Sequence, residues 1–192
     1  MSAALRPGAT IGIVGGGQLG RMLAMAAARL GYRTIVLEPQ ADCPAAQVAN
    51  AHIVGAYDDP EALTELARRC DVVTFEFENV PLAAAEALAR GPAPLHPPAR
   101  ALDVAQDRLT EKTFLNGLGI ATAEFRPVDS EADARAALEV LGGEAILKTR
   151  RFGYDGKGQA RLSSVSDAAA AFRDLGGVPQ IMEGMVDFDC EL

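Results

Sequence analysis

The stretch "TIGIVGGGQLGRMLAMAAARLGYRTIVLEP", beginning at Thr10, constrains the fold more than any other part of this chain. A β-prone run, Thr10–Val14, meets a glycine cluster, and the apolar pattern then changes to a helical period. Leu19, Met22, Leu23, Ala26, Ala27 and Leu30 recur at i, i+3, i+4, i+7, i+8 and i+11, which predicts one apolar helix face. Gly31 ends that helix, and Thr34–Leu37 reads as a second buried strand. Strand, helix and strand within about thirty residues make a βαβ unit, which requires a parallel sheet.

The alternation continues. "AHIVGA" is expected as a strand, followed by a helix capped by Asp59, opened by Pro60 and running to Arg69. "DVVTFEF" is a strand and "PLAAAEALAR" a helix. "GPAPLHPPAR", with four prolines, then breaks the pattern, and the first domain is expected to span residues 1–106. Residues 107–192 have a different rhythm. A helix at "DRLTEKTFLNGLGI" and a strand at "TAEFRPV" are followed by a helix with a Ser-x-x-Asp start at Ser130. Two strands, "EAILKT" and "GQARLSS", flank a glycine-rich loop, and a helix and the strand "PQIMEGMV" follow. The fold class is therefore α/β: a Rossmann-like parallel-sheet domain followed by the first part of an α+β domain. The sequence stops straight after a strand, so the second unit is expected to need more chain to close.

Composition narrows the function. A formal charge of −8 argues against duplex nucleic acid as a partner, while leaving room for a local anion site. No apolar run approaches the roughly 20 residues that span a bilayer. Cys43, Cys70 and Cys190 are odd in number and widely spaced, matching neither a disulfide framework nor a zinc site. A soluble, reduced, cytoplasmic protein is expected, with no metal ligands among these residues.

Four stretches carry candidate chemistry. Gly15, Gly17 and Gly20 fit G-x-G-x-x-G between a strand and a helix, with Glu38 where a ribose-binding acid would sit. That pattern suits NAD, suits another anionic ligand at a helix N-terminus, and also suits a plain tight turn. "TFEFENV" places Glu76 and Glu78 on one face of an expected strand and Phe75 and Phe77 on the other, either as ligand acceptors or as a solvated edge. Lys148 lies in a strand that reads as buried, where an ammonium is costly unless it meets an anion. Beyond it, Gly153, Gly156 and Gly158 can turn backbone N–H groups toward oxygen atoms, with Arg151, Tyr154 and Lys157 adding polar groups. This strand–loop–strand order is not a Walker A motif; it fits a flap over phosphates or an ordinary hairpin. Finally, the backbone of "IMEGMV" can read a base edge, and Glu183 can accept from hydroxyls, although alone this pattern is weak.

In order, "GIVGGGQLGRML", "TFEFENV", "DRLTEKTFLNGLGI", "LKTRRFGYDGKGQ" and "MEGMVDFDCEL" resemble the N-terminal half of the N5-carboxyaminoimidazole ribonucleotide synthetase family, within the ATP-grasp superfamily. The resemblance runs from about Thr10 to the end of the sequence. It implies that the second part is an ATP-grasp domain lacking its C-terminal portion. It also implies an ATP-dependent ligase of purine biosynthesis that phosphorylates bicarbonate to carboxyphosphate and carboxylates 5-aminoimidazole ribonucleotide. By the same resemblance, Arg108, Lys148, Glu183 and Glu191 match ATP-contacting positions. Gly153, Tyr154, Asp155, Gly156, Lys157, Gly158 and Gln159 match the flap over the phosphates, and Glu183, Gly184, Met185 and Val186 the adenine-reading hinge. Gly17, Gln18, Leu19 and Glu76 match the side that holds the aminoimidazole ribonucleotide, and Glu76, Tyr154 and Lys157 are the catalytic candidates. Some relatives have arginine in place of Lys157. Magnesium is implied, with its ligands expected beyond residue 192, and so is a homodimer. On this reading the 192 residues alone would be inactive. The rival readings are an NAD-dependent Rossmann oxidoreductase and a non-catalytic nucleotide-binding module.

Overall fold

The computed structural model describes residues 4–153 and 156–190, in which Tyr154, Asp155 and Glu191 are not included. The chain forms two compact units, Met1–Asp103 and Val104–Leu192.

The first unit is built on a parallel sheet. Its strands are β1 (Thr10–Val14), β2 (Arg33–Glu38), β3 (Ala51–Val54) and β4 (Val72–Phe75), in the order β3-β2-β1-β4. Helices α1 (Gln18–Arg29), α2 (Pro60–Arg69) and α3 (Leu82–Ala89) connect and cover them. Strand alternation sends side chains to both faces. Val14, Ile35, Leu37, Leu66 and Leu88 share one buried cluster, while Ile13, Val36, Ala24, Cys43 and Ala45 share another. The order of connection reverses at β1, which has β2 on one side and β4 on the other. Ligands of open α/β sheets bind at such a switch point, beyond the carboxyl ends of the strands. Val14 pairs with Phe75, so the register sets the loop after β1 directly beside Glu76.

Two expectations change in this unit. The large residues of the predicted apolar face of α1 are exposed: Leu19 and Met22 by 56% and Leu30 by 67%, with Leu23 and Ala26 also outside. Of that face only Ala27 is buried, together with Gly20 and Ala24. Close approach explains this, because a Cβ on Gly20 would lie 2.6 Å from the Gly15 carbonyl oxygen. The strand through "TFEF" ends at Phe75, so Glu76 and Glu78 do not share a strand face; Glu78 is exposed beside Asn79. The proline-rich segment lies within the unit. Val73 N–H donates to Pro94 and His96 N–H donates to Val73, so Leu95 adds a parallel bridge to the sheet. A short helix, α4 (Ala99–Ala105), follows.

The second unit contains α5 (Arg108–Gly117), β5 (Phe125–Val128), α6 (Glu131–Val140), β6 (Ala145–Thr149), β7 (Gln159–Leu162), α7 (Val165–Asp174) and β8 (Gln180–Gly184). Its sheet is antiparallel, in the order β5-β8-β6-β7. Ser130 caps α6 by accepting from Asp133 N–H, as the Ser-x-x-Asp pattern predicts. Val128, Leu138, Leu147, Phe172 and Met182 form the core with Ala134, Ala137 and Ala168 from α6 and α7. Leu147 and Met182 are register partners facing those helices. Their sequence neighbours Lys148 and Glu183 therefore occupy the opposite face.

Among the described residues no helix is long and apolar enough to cross a membrane. The three cysteines are free, with Cys43 buried and Cys190 exposed.

Candidate functional site: a self-capped glycine loop and a lysine–glutamate cluster

The glycine loop of the first unit is closed by the chain's own carboxylates. Gly17 N–H donates to Glu76 Oε1 at 2.8 Å and Gly20 N–H to Glu76 Oε2 at 2.7 Å. A carboxylate thus spans the N-terminus of α1, where unpaired N–H groups and the helix dipole favour negative charge. Gly16 N–H donates to Glu38 Oε2 at 2.8 Å, and the Tyr57 hydroxyl donates to the same oxygen. Burial, and then the hydrogen bond to Glu38, push the Tyr57 phenol above its ordinary value.

The loop needs glycine because these side chains lie against it. A Cβ on Gly15, whose φ is +108°, would meet Glu76 Cγ at 2.3 Å; one on Gly16 would meet Cys43 Sγ at 2.6 Å. The space and the donors that a dinucleotide would use are therefore already filled by Glu76 and Glu38. Gln18 and Leu19 project outward from the first turn of α1, and Gly17 is half-buried beside Glu76. Gly17, Gln18, Leu19 and Glu76 are thus gathered at the switch point, with Glu76 anchored through both oxygens.

In the second unit the chemistry gathers on the sheet face opposite α6 and α7. Ile146 pairs with Glu183, which makes Lys148 the diagonal neighbour of Glu183. Lys148 Nζ donates to Glu183 Oε2 at 2.9 Å. Lys112, from α5, lies 3.3 Å from that same oxygen. Glu183 Oε1 is buried and accepts no hydrogen bond. A buried unpaired carboxylate oxygen is costly in a finished core and is expected where a ligand will donate. Gly184 ends β8, and Met185 and Val186 continue beyond it, exposed by 39% and 53%.

The glycine-rich loop joins β6 to β7 and is held at its base. Arg108 Nη2 donates to the Gly153 carbonyl at 2.9 Å, and Thr149 N–H donates to the Gly158 carbonyl at 2.8 Å. Asp107 caps α5 and also takes the Arg150 guanidinium at 2.8 Å. Burial alone would raise the Asp107 carboxyl; the hydrogen bond and charge of Arg150, with two backbone N–H donors, outweigh it and hold the group below its usual range. Phe152 has φ +62°, a strained conformation for a bulky residue, and is exposed by 69%. Gly156 and Gly158 have φ of +76° and +70°, Lys157 is exposed between them, and Gln159 opens β7. The expectations for Tyr154, Asp155 and Glu191 fall outside the described residues. No cluster of three or more possible metal ligands occurs among the described residues.

A Rossmann-type unit followed by an antiparallel sheet with a lysine–glutamate pair and a glycine-rich loop is the order of a preATP-grasp domain and an ATP-grasp domain. Residues 8–106 match the ribonucleotide synthetase preATP-grasp domain and residues 113–192 the ATP-grasp domain. The chain belongs to the ribonucleotide synthetase family of ATP-grasp proteins. It is 62% identical over 190 residues to the N5-carboxyaminoimidazole ribonucleotide synthase of Brucella melitensis, an alignment covering 98% of this chain and 52% of that protein. A solved ADP complex of an N5-carboxyaminoimidazole ribonucleotide synthetase superposes with a TM-score of 0.92 at 41% identity, over 98% of this chain and 50% of the other. The Aspergillus clavatus enzyme, solved with ADP and 5-aminoimidazole ribonucleotide, gives a TM-score of 0.84 at 32% identity, over 95% of this chain and 48% of the other. The chain spans about half the length of the curated relatives it matches.

Sequence reasoning does not single out Lys112, Tyr57 or the Asp107–Arg150 pair, which the structure places in contact with Glu183, with Glu38 and at the cap of α5 respectively. Lys112 lies within "DRLTEKTF", one ammonium on a half-exposed helix, and only the β8 register brings Glu183 beneath it. The order Asp107-Arg108 before a helix was a readable capping signal.

Proposed function

We propose that the protein carrying this chain is an ATP- and bicarbonate-dependent ligase that carboxylates the exocyclic amine of 5-aminoimidazole ribonucleotide to N5-carboxyaminoimidazole ribonucleotide. The observation that carries this reading is the pairing of a glycine loop already filled by Glu76 with a lysine–glutamate cluster that still has an open acceptor. The first disfavours a dinucleotide in the first unit. The second supports a nucleotide in the second.

In this reading Lys148 turns to a nucleotide phosphate, and the unpaired Glu183 Oε1 accepts from a nucleotide donor group. The backbone of Glu183–Val186 lies along the base edge. Arg108 holds the base of the flap through Gly153. Gly153–Gln159 close over the phosphates, with Tyr154 and Lys157 near bicarbonate or the ribonucleotide phosphate. A bicarbonate oxygen attacks the terminal phosphorus of ATP, ADP leaves, and carboxyphosphate results. The amine then takes the carboxyl carbon and phosphate departs. Closure excludes the water that would hydrolyse carboxyphosphate. Magnesium would offset the charge of the phosphates, with ligands outside this chain. Gly17, Gln18, Leu19 and Glu76 present the ribonucleotide, with Glu76 as an anchored acceptor. The working assembly is proposed to be a homodimer acting in the cytoplasm.

The test is phosphate release by the gene product at its native length, with ATP, magnesium, bicarbonate and the ribonucleotide, each omitted in turn. Release that needs all four supports the proposal. ADP formation indifferent to the ribonucleotide, or enhanced NADH fluorescence on mixing in place of nucleotide turnover, would overturn it.

A further inference from the structure

Two ammonium groups converge on one oxygen of Glu183. Lys148 lies at 2.9 Å and Lys112 at 3.3 Å, and the three side chains are exposed by only 20%, 17% and 8% respectively. The second lysine needs an explanation. One hydrogen-bonded lysine already neutralises the carboxylate, and adding another ammonium against it in a desolvated place costs free energy through mutual repulsion. Lys112 also comes from a helix with no buried residue of its own, so it is not fixed there as a by-product of core packing.

The arrangement is useful if Lys148 is to be drawn away. A phosphate approaching Lys148 competes with Glu183 for the same ammonium. With Lys148 as its sole counter-ion, Glu183 would become a buried carboxylate with a shared or lost partner, and that penalty would be charged against binding. Lys112 prevents this, because it already sits on Oε2.

We propose that Lys112 is a positioning residue for the nucleotide, holding Glu183 in place and charge-balanced when Lys148 engages a phosphate. This rests on the nucleotide reading above and adds a residue to it. Lys112 acts through Glu183 and makes no phosphate contact of its own.

The experiment measures ATP and ADP affinity by calorimetry on the native-length protein, for wild type, Lys112→Met, Lys112→Arg, Glu183→Gln and the Lys112→Met/Glu183→Gln pair. Lys112→Met should weaken both nucleotides by about tenfold, less than the full cost of breaking a buried pair because Glu183 keeps a share of Lys148. Lys112→Arg should restore most of the loss. In the Glu183→Gln background, where no charge needs balancing, Lys112→Met should cost less than about twofold. Three results would overturn the inference: unchanged affinity in Lys112→Met, a loss that persists in Glu183→Gln, or a loss much larger for ATP than ADP, which would mean direct contact with the terminal phosphate. If Glu183→Gln does not fold, the arginine rescue and the ATP-to-ADP comparison still decide. Failure of wild type to bind either nucleotide would instead overturn the nucleotide reading itself.

Discussion

Replacing Glu76 with alanine removes the acceptor of two backbone N–H groups and the negative charge at the start of α1. Each hydrogen bond to a charged acceptor is worth about 1.5–3 kcal/mol when fully desolvated, and roughly 1 kcal/mol at this half-buried site, where water can partly replace it. Charge at the helix N-terminus adds about 0.5–1 kcal/mol. The first unit should therefore lose about 3 kcal/mol. With a urea slope of about 1.5 kcal/mol per molar, its unfolding midpoint should fall by roughly 2 M. Glutamine should rescue poorly, because its amide oxygen can serve only one of Gly17 and Gly20 while its NH2 confronts the other N–H. Formate added to Glu76→Ala should restore part of the loss by occupying the vacated carboxylate position. Urea unfolding followed by circular dichroism measures all three. A midpoint shift below about 0.3 M for alanine, or full stability in Glu76→Gln, would refute the claim that the carboxylate fills the loop.

Further outcomes follow from other parts of the molecule. Asp107 has a depressed carboxyl, so its contribution to stability is present above the ordinary carboxylate range of about 4 and is lost as pH falls through its lower folded value; acid unfolding of Asp107→Asn should show a shallower fall in stability below about pH 4 than wild type. Gly158 has φ +70°, and a Cβ there would meet Thr149 Oγ1 at 2.6 Å, so Gly158→Ala should destabilise by at least about 1 kcal/mol and distort the flap base, read as a lower melting point with weaker nucleotide binding. Gly156 has φ +76°, and a Cβ there would lie 3.8 Å from Gln159 Nε2, an ordinary contact, so Gly156→Val should strain the loop backbone and impair turnover, which steady-state kinetics would register. The exposed Cys190 should react with a thiol reagent first; the Cys70 thiol, pushed up to about 11 chiefly by burial, should label slowly even at pH 9 in native protein.

Much of the architecture is legible in the sequence, for identifiable reasons. The change from strand to helical period around Gly15–Gly20 marked the βαβ unit, and Asp59-Pro60 marked the start of α2 to the residue. Local chemistry of that kind survives in the fold because neighbours in sequence supply both donor and acceptor. The errors arose where distant chain decides. Periodicity put Leu19, Met22 and Leu30 in the core, but the close approach of Gly20 to Gly15 turned the small face of α1 inward. Motif spacing allows Glu38 as a ribose-binding acid, one reading of three, whereas in the fold Gly16 N–H and the Tyr57 hydroxyl donate to it. Strand alternation paired Glu76 with Glu78, but the β4 ladder ends at Phe75 and frees Glu76 to reach Gly17 and Gly20. Lys148 was readable as a buried cation seeking an anion, whereas its first partner, Glu183, lies 35 residues away and is supplied by sheet register.

The most direct measurement of the central claim follows oxygen from bicarbonate. The native-length protein is given ATP, magnesium, 5-aminoimidazole ribonucleotide and bicarbonate labelled with heavy oxygen, and the released phosphate is analysed by mass spectrometry. Attack of bicarbonate on the terminal phosphorus places one labelled oxygen in each phosphate formed, and that is the predicted result. Unlabelled phosphate from the same turnover would mean that water, not bicarbonate, takes the phosphoryl group, and the proposed ligase chemistry would be contradicted.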